Sequence, residues 1–214
     1  MSETVKRTYD SSRRKEQARQ TRRAILQAAH DLFVQKGYGL TTITDIAQAA
    51  GVSPESIYAS FKNKATLLHR VWDVTIGGDD QEVVFHERPE IKAIRAEPDL
   101  AKRFRMHARM STATARRMTP FRLAVQAASG SEPSAAEMLA EMDRQRLAGM
   151  GVMAAEAATT GRLAVSEEEC RDIIWAMTDG TLWHQLVNGR GWTDEHFADW
   201  LGQVWVDALV RPLS

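Results

Sequence analysis

Six histidines (His30, His69, His86, His107, His184 and His196) and one cysteine, Cys170, are the side chains of this sequence best suited to metal or nucleophilic chemistry. Their spacing supports neither. A zinc site needs converging ligands, such as two histidines at i and i+4 with a carboxylate nearby. No such set occurs. Cys170 has no second thiol, so no internal disulfide forms, which fits a reducing cytoplasm. It follows Glu167, Glu168 and Glu169, an acidic setting that disfavours a reactive thiolate. There is no glycine-rich phosphate loop and no nucleophile-elbow pattern. The sequence therefore reads as no enzyme, with no metal and no cofactor.

Its charge distribution is more informative. The net charge is zero, yet residues 1–78 hold 12 Lys+Arg against 7 Asp+Glu, and residues 79–214 hold 16 against 21. A basic front end on an acidic remainder suggests a polyanion-binding end. A solvated basic tail would give the same balance. No apolar run approaches the roughly 18–20 residues of a membrane span, and no secretory h-region opens the chain. No membrane partner and a cytoplasmic location are expected.

The elements that must position any site read as helices throughout. Residues 1–15 form a polar, disordered basic arm carrying Arg13 and Arg14. From Glu16 a helix follows, with Ile25, Ala29, Leu32 and Phe33 as its stripe and Gly37 as its stop. Thr42 caps a short second helix, with Asp45 completing a capping box. Gly51-Val52-Ser53 is a turn, and Ser53 with Pro54 opens a third helix. Asn63 caps a fourth, 64–77. Residues 79–98 read as irregular. Longer helices are expected at about 99–117, 120–129, 133–159 and 167–188, with a last one from the Thr193 cap to near Leu209. The fold class is all-α: a three-helix N-terminal helix-turn-helix domain (16–63), then a helical effector-binding and dimerisation domain (64–214) that helix 64–77 connects to it.

A short helix, a tight glycine turn and a second short helix make a helix-turn-helix over Thr42–Lys64. A structural hairpin could share that spacing. The stretch TTITDIAQAAGVSPESIYASFKNKATLL (41–68), with ILQAAHDLFVQKGY (25–38) before it, resembles the DNA-binding signature of the tetracycline-repressor (TetR) family. The likeness is strong over roughly 18–72. It is weaker in IIWAMTDGTLWHQLVNGRGWTDEHFADWL (173–201), which resembles the last two helices of one TetR subgroup. The resemblance implies that Thr42, Tyr58 and Lys64 contact phosphates, with Lys62 as an extra contact. It places Thr44 near bases, and Glu55, Ser56, Ala59 and Ser60 facing the groove, with Ser53 capping the helix that presents them. The recognition helix holds no Arg, Lys, Asn or Gln between Pro54 and Phe61, so the bidentate base contacts are missing there. Specificity then leans on backbone fit, on water and on the basic arm.

The C-terminal part is dense in methionine and aromatic residues. Phe104, His107, Met110, Phe121, Met142, Met150, Met153 and Trp175 are the candidate pocket for a small, largely apolar effector. For most of them, core packing is the other reading. His107, Arg103, Arg109 and His184 could orient an acidic or carbonyl group; the arginines could equally coat a solvated face. Ile173, Met177, Leu186, Trp200, Leu201, Val204 and Trp205 spread over too wide an arc for one face and form the candidate homodimer surface. A symmetric dimer sets two recognition helices about one turn of DNA apart on a palindromic operator. The expected function is a ligand-responsive transcriptional repressor. The alternative is a hydrophobic small-molecule carrier with a vestigial helix-turn-helix.

Overall fold

In the computed structural model, residues 11–77 and 89–212 are described. Residues 1–10 of the expected arm and residues 79–88 of the stretch expected to be irregular lie outside them. The described residues are all-α: α1 Ser11–Lys36, α2 Ile43–Ala50, α3 Pro54–Phe61, α4 Lys64–Gly77, α5 Pro89–Ala96, α6 Leu100–Ala128, α7 Pro133–Ala158, α8 Glu167–Met177, α9 Thr181–Trp183 running into a π-turn at His184–Asn188, and α10 Asp194–Leu209. Among them the β structure is one isolated bridge, Leu163 to Val210. None of their helices is long and apolar enough to cross a membrane. The chain divides into two compact units between Val71 and Trp72. This division falls within α4, eight residues beyond the boundary read from the Asn63 cap, because the first turns of α4 bury Leu67, Leu68 and Val71.

The N-terminal unit is built on short-range signals. Ile25, Ala29 and Phe33 of α1, Ile46 and Ala47 of α2, and Ile57 and Phe61 of α3 are all buried. Phe33 and Tyr38 meet edge to face at 5.1 Å. Gly51 ends α2 at φ +67°, a left-handed conformation that a side chain would strain. One boundary differs from the sequence reading: α1 starts at Ser11, so Arg13 and Arg14 stand on a helix. Residues 13–20 are rich in strong helix formers, and Glu16 pairs with Arg19 at 3.2 Å, which extends the helix without any burial.

The C-terminal unit packs α10 along α6, and α7 against α8. Phe104 and Ala108 of α6 meet Leu201 and Trp205 of α10 in one buried cluster. The approach is close: a Cβ on Gly202 would lie 3.1 Å from the Arg105 Cα. Three expectations are corrected here. Residues 89–96 are helical, because Pro89 starts α5 and Ile91 and Ile94 are buried one turn apart. The expected break near 118–119 is absent, and α6 runs straight through Pro120. Pro120 removes one amide, yet Thr119 and Phe121 on either side are buried, and that packing keeps the axis going. The single helix expected over 167–188 is interrupted at 178–180. Gly180 sits at φ +90°, and the Asp179 carboxylate accepts from the Thr181 N–H at 2.8 Å.

Candidate nucleic-acid interface

Three capping side chains fix the reading motif. Asp45 N–H donates to the Thr42 hydroxyl at 3.1 Å, and Thr42 N–H donates back to the Asp45 carboxylate at 2.9 Å. The box expected from sequence is complete. Ser56 N–H donates to the Ser53 hydroxyl at 3.3 Å, and Thr66 N–H to the Asn63 side-chain oxygen at 2.8 Å. These bonds satisfy otherwise orphaned amides at each helix start.

With Ile57 and Phe61 turned inward, α3 presents Glu55, Tyr58, Ala59 and Ser60 to solvent, with Ser56 half-buried beside them. Tyr58 is 51% exposed, large for an aromatic side chain with no packing role. Thr42, Thr44 and Ser53 are exposed as well. Glu55 is held below its usual carboxylate range by its own backbone N–H and then by the Ser53 hydroxyl. It is therefore an anion on the expected groove face, and repels phosphate unless an amino group meets it.

The link from α3 to α4 is strained. Lys62 has φ 62° and ψ −52°, and Asn63 N–H donates to the Phe61 carbonyl at 2.7 Å. That is a γ-turn of the rare positive-φ hand. Among the described non-glycine residues Lys62 alone has positive φ. Next to it the Lys64 ammonium lies 4.2 Å above the Tyr38 ring. The Arg22 guanidinium lies 4.7 Å above the Phe61 ring on the same motif. Sequence reasoning passed over Leu40, which is 72% exposed two residues before Thr42. No periodicity marks a single apolar residue in a loop.

The C-terminal candidates fall differently. Leu201 and Trp205, expected at a dimer surface, are buried against α6 within the chain: α10 has a wide apolar arc because one side of it closes the core. Ile173, Met177, Leu186, Trp200 and Val204 are half-buried. Of the pocket candidates, Phe104, Phe121, Met142 and Met153 are buried, while Met110, Met150 and Trp175 are half-buried. Phe104 stands edge-on to Trp205 at 6.3 Å, filling the core. A small recess near the α8–α9 break is lined by none of the eight; Met177 and Leu201 border it instead. His107 is 6% exposed, and its Nδ1 has no hydrogen-bond partner. Burial first, then Arg103 and Arg95, push its pKa down to about 4. Arg109 pairs with Asp199 at 3.3 Å and Arg116 with Asp194, tying the outer face of α6 to α10. Arg103 turns inward and donates to the Glu97 carbonyl at 2.6 Å. The Cys170 thiol is pushed up to about 11, by burial ahead of Glu167.

Residues 25–71, the stretch that holds these caps and turns, match the profile of bacterial regulatory proteins of the tetR family. Over this stretch the chain is similar to the tetR family. The HTH-type transcriptional regulator TtgR of Pseudomonas putida is 44% identical over 61 residues, 28% of this chain and 29% of that protein. AcrR of Shigella flexneri is 41% identical over 61 residues, 28% of each. The chain thus spans less than a third of the length of these curated relatives. At the level of fold the likeness extends further. NalD, the secondary repressor of the MexAB-OprM multidrug efflux pump in Pseudomonas aeruginosa, matches with a TM-score of 0.65, 20% identity, and coverage of 92% of this chain and 100% of that one. A regulator from Saccharomonospora viridis in complex with choline matches with a TM-score of 0.65 and 18% identity, over 89% of this chain and 98% of that one. The sequence likeness is thus confined to the N-terminal helices, and the likeness that reaches the C-terminal helices is one of fold alone.

Proposed function

We propose that this chain is a homodimeric, cytoplasmic DNA-binding transcriptional regulator, a repressor released from a palindromic operator by a small effector. The observation that carries this reading is the exposed face of α3, which bears no packing role and is flanked by Thr42, Lys62 and Lys64. Thr42, Tyr58, Lys62 and Lys64 take phosphates, the α4 N-terminus adding a favourable dipole. Glu55, Ser56, Ala59 and Ser60 lie along the groove, and Thr44 meets bases from α2. Arg13 and Arg14, now on the first turn of α1, reach the backbone beside the motif.

An effector held among α5–α10 favours one position of α4, the helix that runs from residue 64 to residue 77. Operator affinity then falls in proportion to the effector's preference for that state. The half-buried apolar residues of α8 and α10 (Ile173, Met177, Trp200 and Val204) are the proposed contact between protomers. A carrier role is not favoured, because the part of the chain with close relatives is the part that reads as a regulator's.

Selection of random DNA duplexes on the purified protein tests the proposal. Enrichment of a palindrome, with affinity falling steeply as salt rises through counterion release, is the expected result. A folded dimer that enriches no sequence overturns it.

A further inference from the structure

The C-terminal unit contains a knot of buried polar groups that its own packing leaves incompletely satisfied. Arg122 on α6 and Arg146 on α7 have side chains only 12% and 15% exposed. Both guanidiniums reach one oxygen, Asp143 Oδ1, at 3.5 Å and 3.0 Å. Arg122 also lies 3.9 Å from the Asp179 carboxylate. Arg146 lies 4.5 Å above the Trp175 ring and donates to the Trp175 carbonyl. Two guanidiniums face two carboxylates, so the knot is neutral overall.

Three groups in it have no partner while being shielded from solvent: the Arg122 Nε–H, the Trp175 Nε1–H and the Thr119 hydroxyl. Thr119 is 2% exposed and lies three residues before Arg122, on the same side of α6. Buried donors are rarely left unmet, and one on a charged group is the costliest to leave so. What these atoms lack is an acceptor. The acceptor the chain does supply, Asp143, is 36% exposed and can turn to solvent. It stands where an incoming carboxylate would stand. The core next to the knot along the chain is aromatic and buried. Phe121, next to Arg122, stacks on Trp72 at 6.2 Å and 17°. Trp72 donates to Gln145, next to Arg146, at 3.0 Å.

We propose that this knot is the head-group site for the effector, and that the effector is a carboxylate on a flat apolar body. This rests on the regulator reading above and deepens it: the sequence leads one to expect a largely apolar effector, and the unmet donors add an anionic end to it. The carboxylate displaces Asp143, takes charge-assisted hydrogen bonds from Arg122 and Arg146, and accepts from the Trp175 indole N–H. The Thr119 hydroxyl completes the set.

The test uses the full chain and two probes of the same shape, 2-naphthoate and 2-naphthalenemethanol, titrated by tryptophan fluorescence and by calorimetry. Naphthoate should bind about tenfold or more tighter, the range for a charge-assisted pair. Trp175→Phe keeps the ring and removes the donor, so it should weaken naphthoate. Asp143→Asn removes the competing charge, so it should strengthen naphthoate. Thermal unfolding of both variants checks that they fold. Equal affinity for the two probes, no naphthoate binding, or no response in either variant overturns the head-group assignment. Operator binding is measured on the same preparations. If it is present while the probes bind alike, only the effector chemistry falls. If it is absent, the regulator reading falls, whatever the probes do.

Discussion

Asp45 and Lys36 hold α2 against α1 through one carboxylate oxygen: Asp45 Oδ2 accepts from Lys36 Nζ at 2.6 Å while also accepting the Thr42 N–H at 2.9 Å. The capping box and the interhelix ion pair therefore share an acceptor. Lys36 first, and then the Thr42 amide and hydroxyl, lower the Asp45 pKa from its ordinary 3.8 to about 2. A carboxylate with a depressed folded value stabilises fully above its unfolded value and loses that contribution as pH falls through the folded one. Wild type should thus unfold at higher temperature than Asp45→Asn at neutral pH. The gap should narrow as pH drops from 3.8 through about 2. A gap independent of pH across that window would refute the shared-acceptor account. Thr42→Ala should cost about 1 kcal/mol at neutral pH, the usual worth of an N-cap.

Lys62 places a flexible cation at the end of α3 by adopting a backbone that only glycine adopts freely. Positive φ at a non-glycine residue costs on the order of 1 kcal/mol or more. Lys62→Gly should therefore raise stability by roughly that amount, whereas Lys62→Ala should not. Both should weaken operator binding and lower the salt slope by about one. Equal unfolding temperatures for the two variants would mean the turn is not strained. An unchanged salt slope would mean Lys62 touches no phosphate.

His107 is the buried counterpart. Its folded pKa is about 4 against an ordinary 6.5, because burial and the nearby Arg103 and Arg95 oppose a charge there. Below 6.5 the unfolded chain takes up a proton that the folded one refuses, so stability falls as pH is lowered from 6.5 toward 4. His107→Gln, polar but without a titrating ring, should flatten that stretch of the profile in chemical denaturation. A wild-type curve already flat there would count against this account.

The parts of this chain legible in its sequence are those decided within a few residues. Thr42, Ser53, Asn63 and Thr193 each cap the helix expected of them, because an N-cap needs only a side-chain oxygen and an amide two or three residues on. The exposed face of α3 follows from Ile57 and Phe61 turning inward. What could not be read is set by partners far along the chain. Pro120 looks like a helix end locally, but Thr119 and Phe121 are buried by other helices and α6 persists. Leu201 and Trp205 look like surplus apolar area on α10 until α6 is seen to cover them. The Arg122 and Trp175 donors were invisible for the same reason: being unmet is a property of packing. The Asp179-Gly180 pair did carry a turn signal, overridden by the apolar period around it.

Gly180 is where that missed turn matters most. A Cβ built on it would sit 2.2 Å from the Thr119 hydroxyl oxygen, and its φ is +90°. Two penalties therefore fall on Gly180→Ala, one steric and one from the backbone. They can be separated. Gly180→Ala alone should destabilise by about 3 kcal/mol or more, combining a buried overlap with a strained φ. Adding Thr119→Ala removes the overlapping hydroxyl and should restore only part of that, leaving roughly the 1–2 kcal/mol of left-handed strain. A double-mutant cycle by urea denaturation measures the coupling. Full recovery in the double variant would show that the turn tolerates a side chain and that steric overlap alone excludes it. No recovery would show that Thr119 and Gly180 do not meet, which would separate the α8–α9 break from α6.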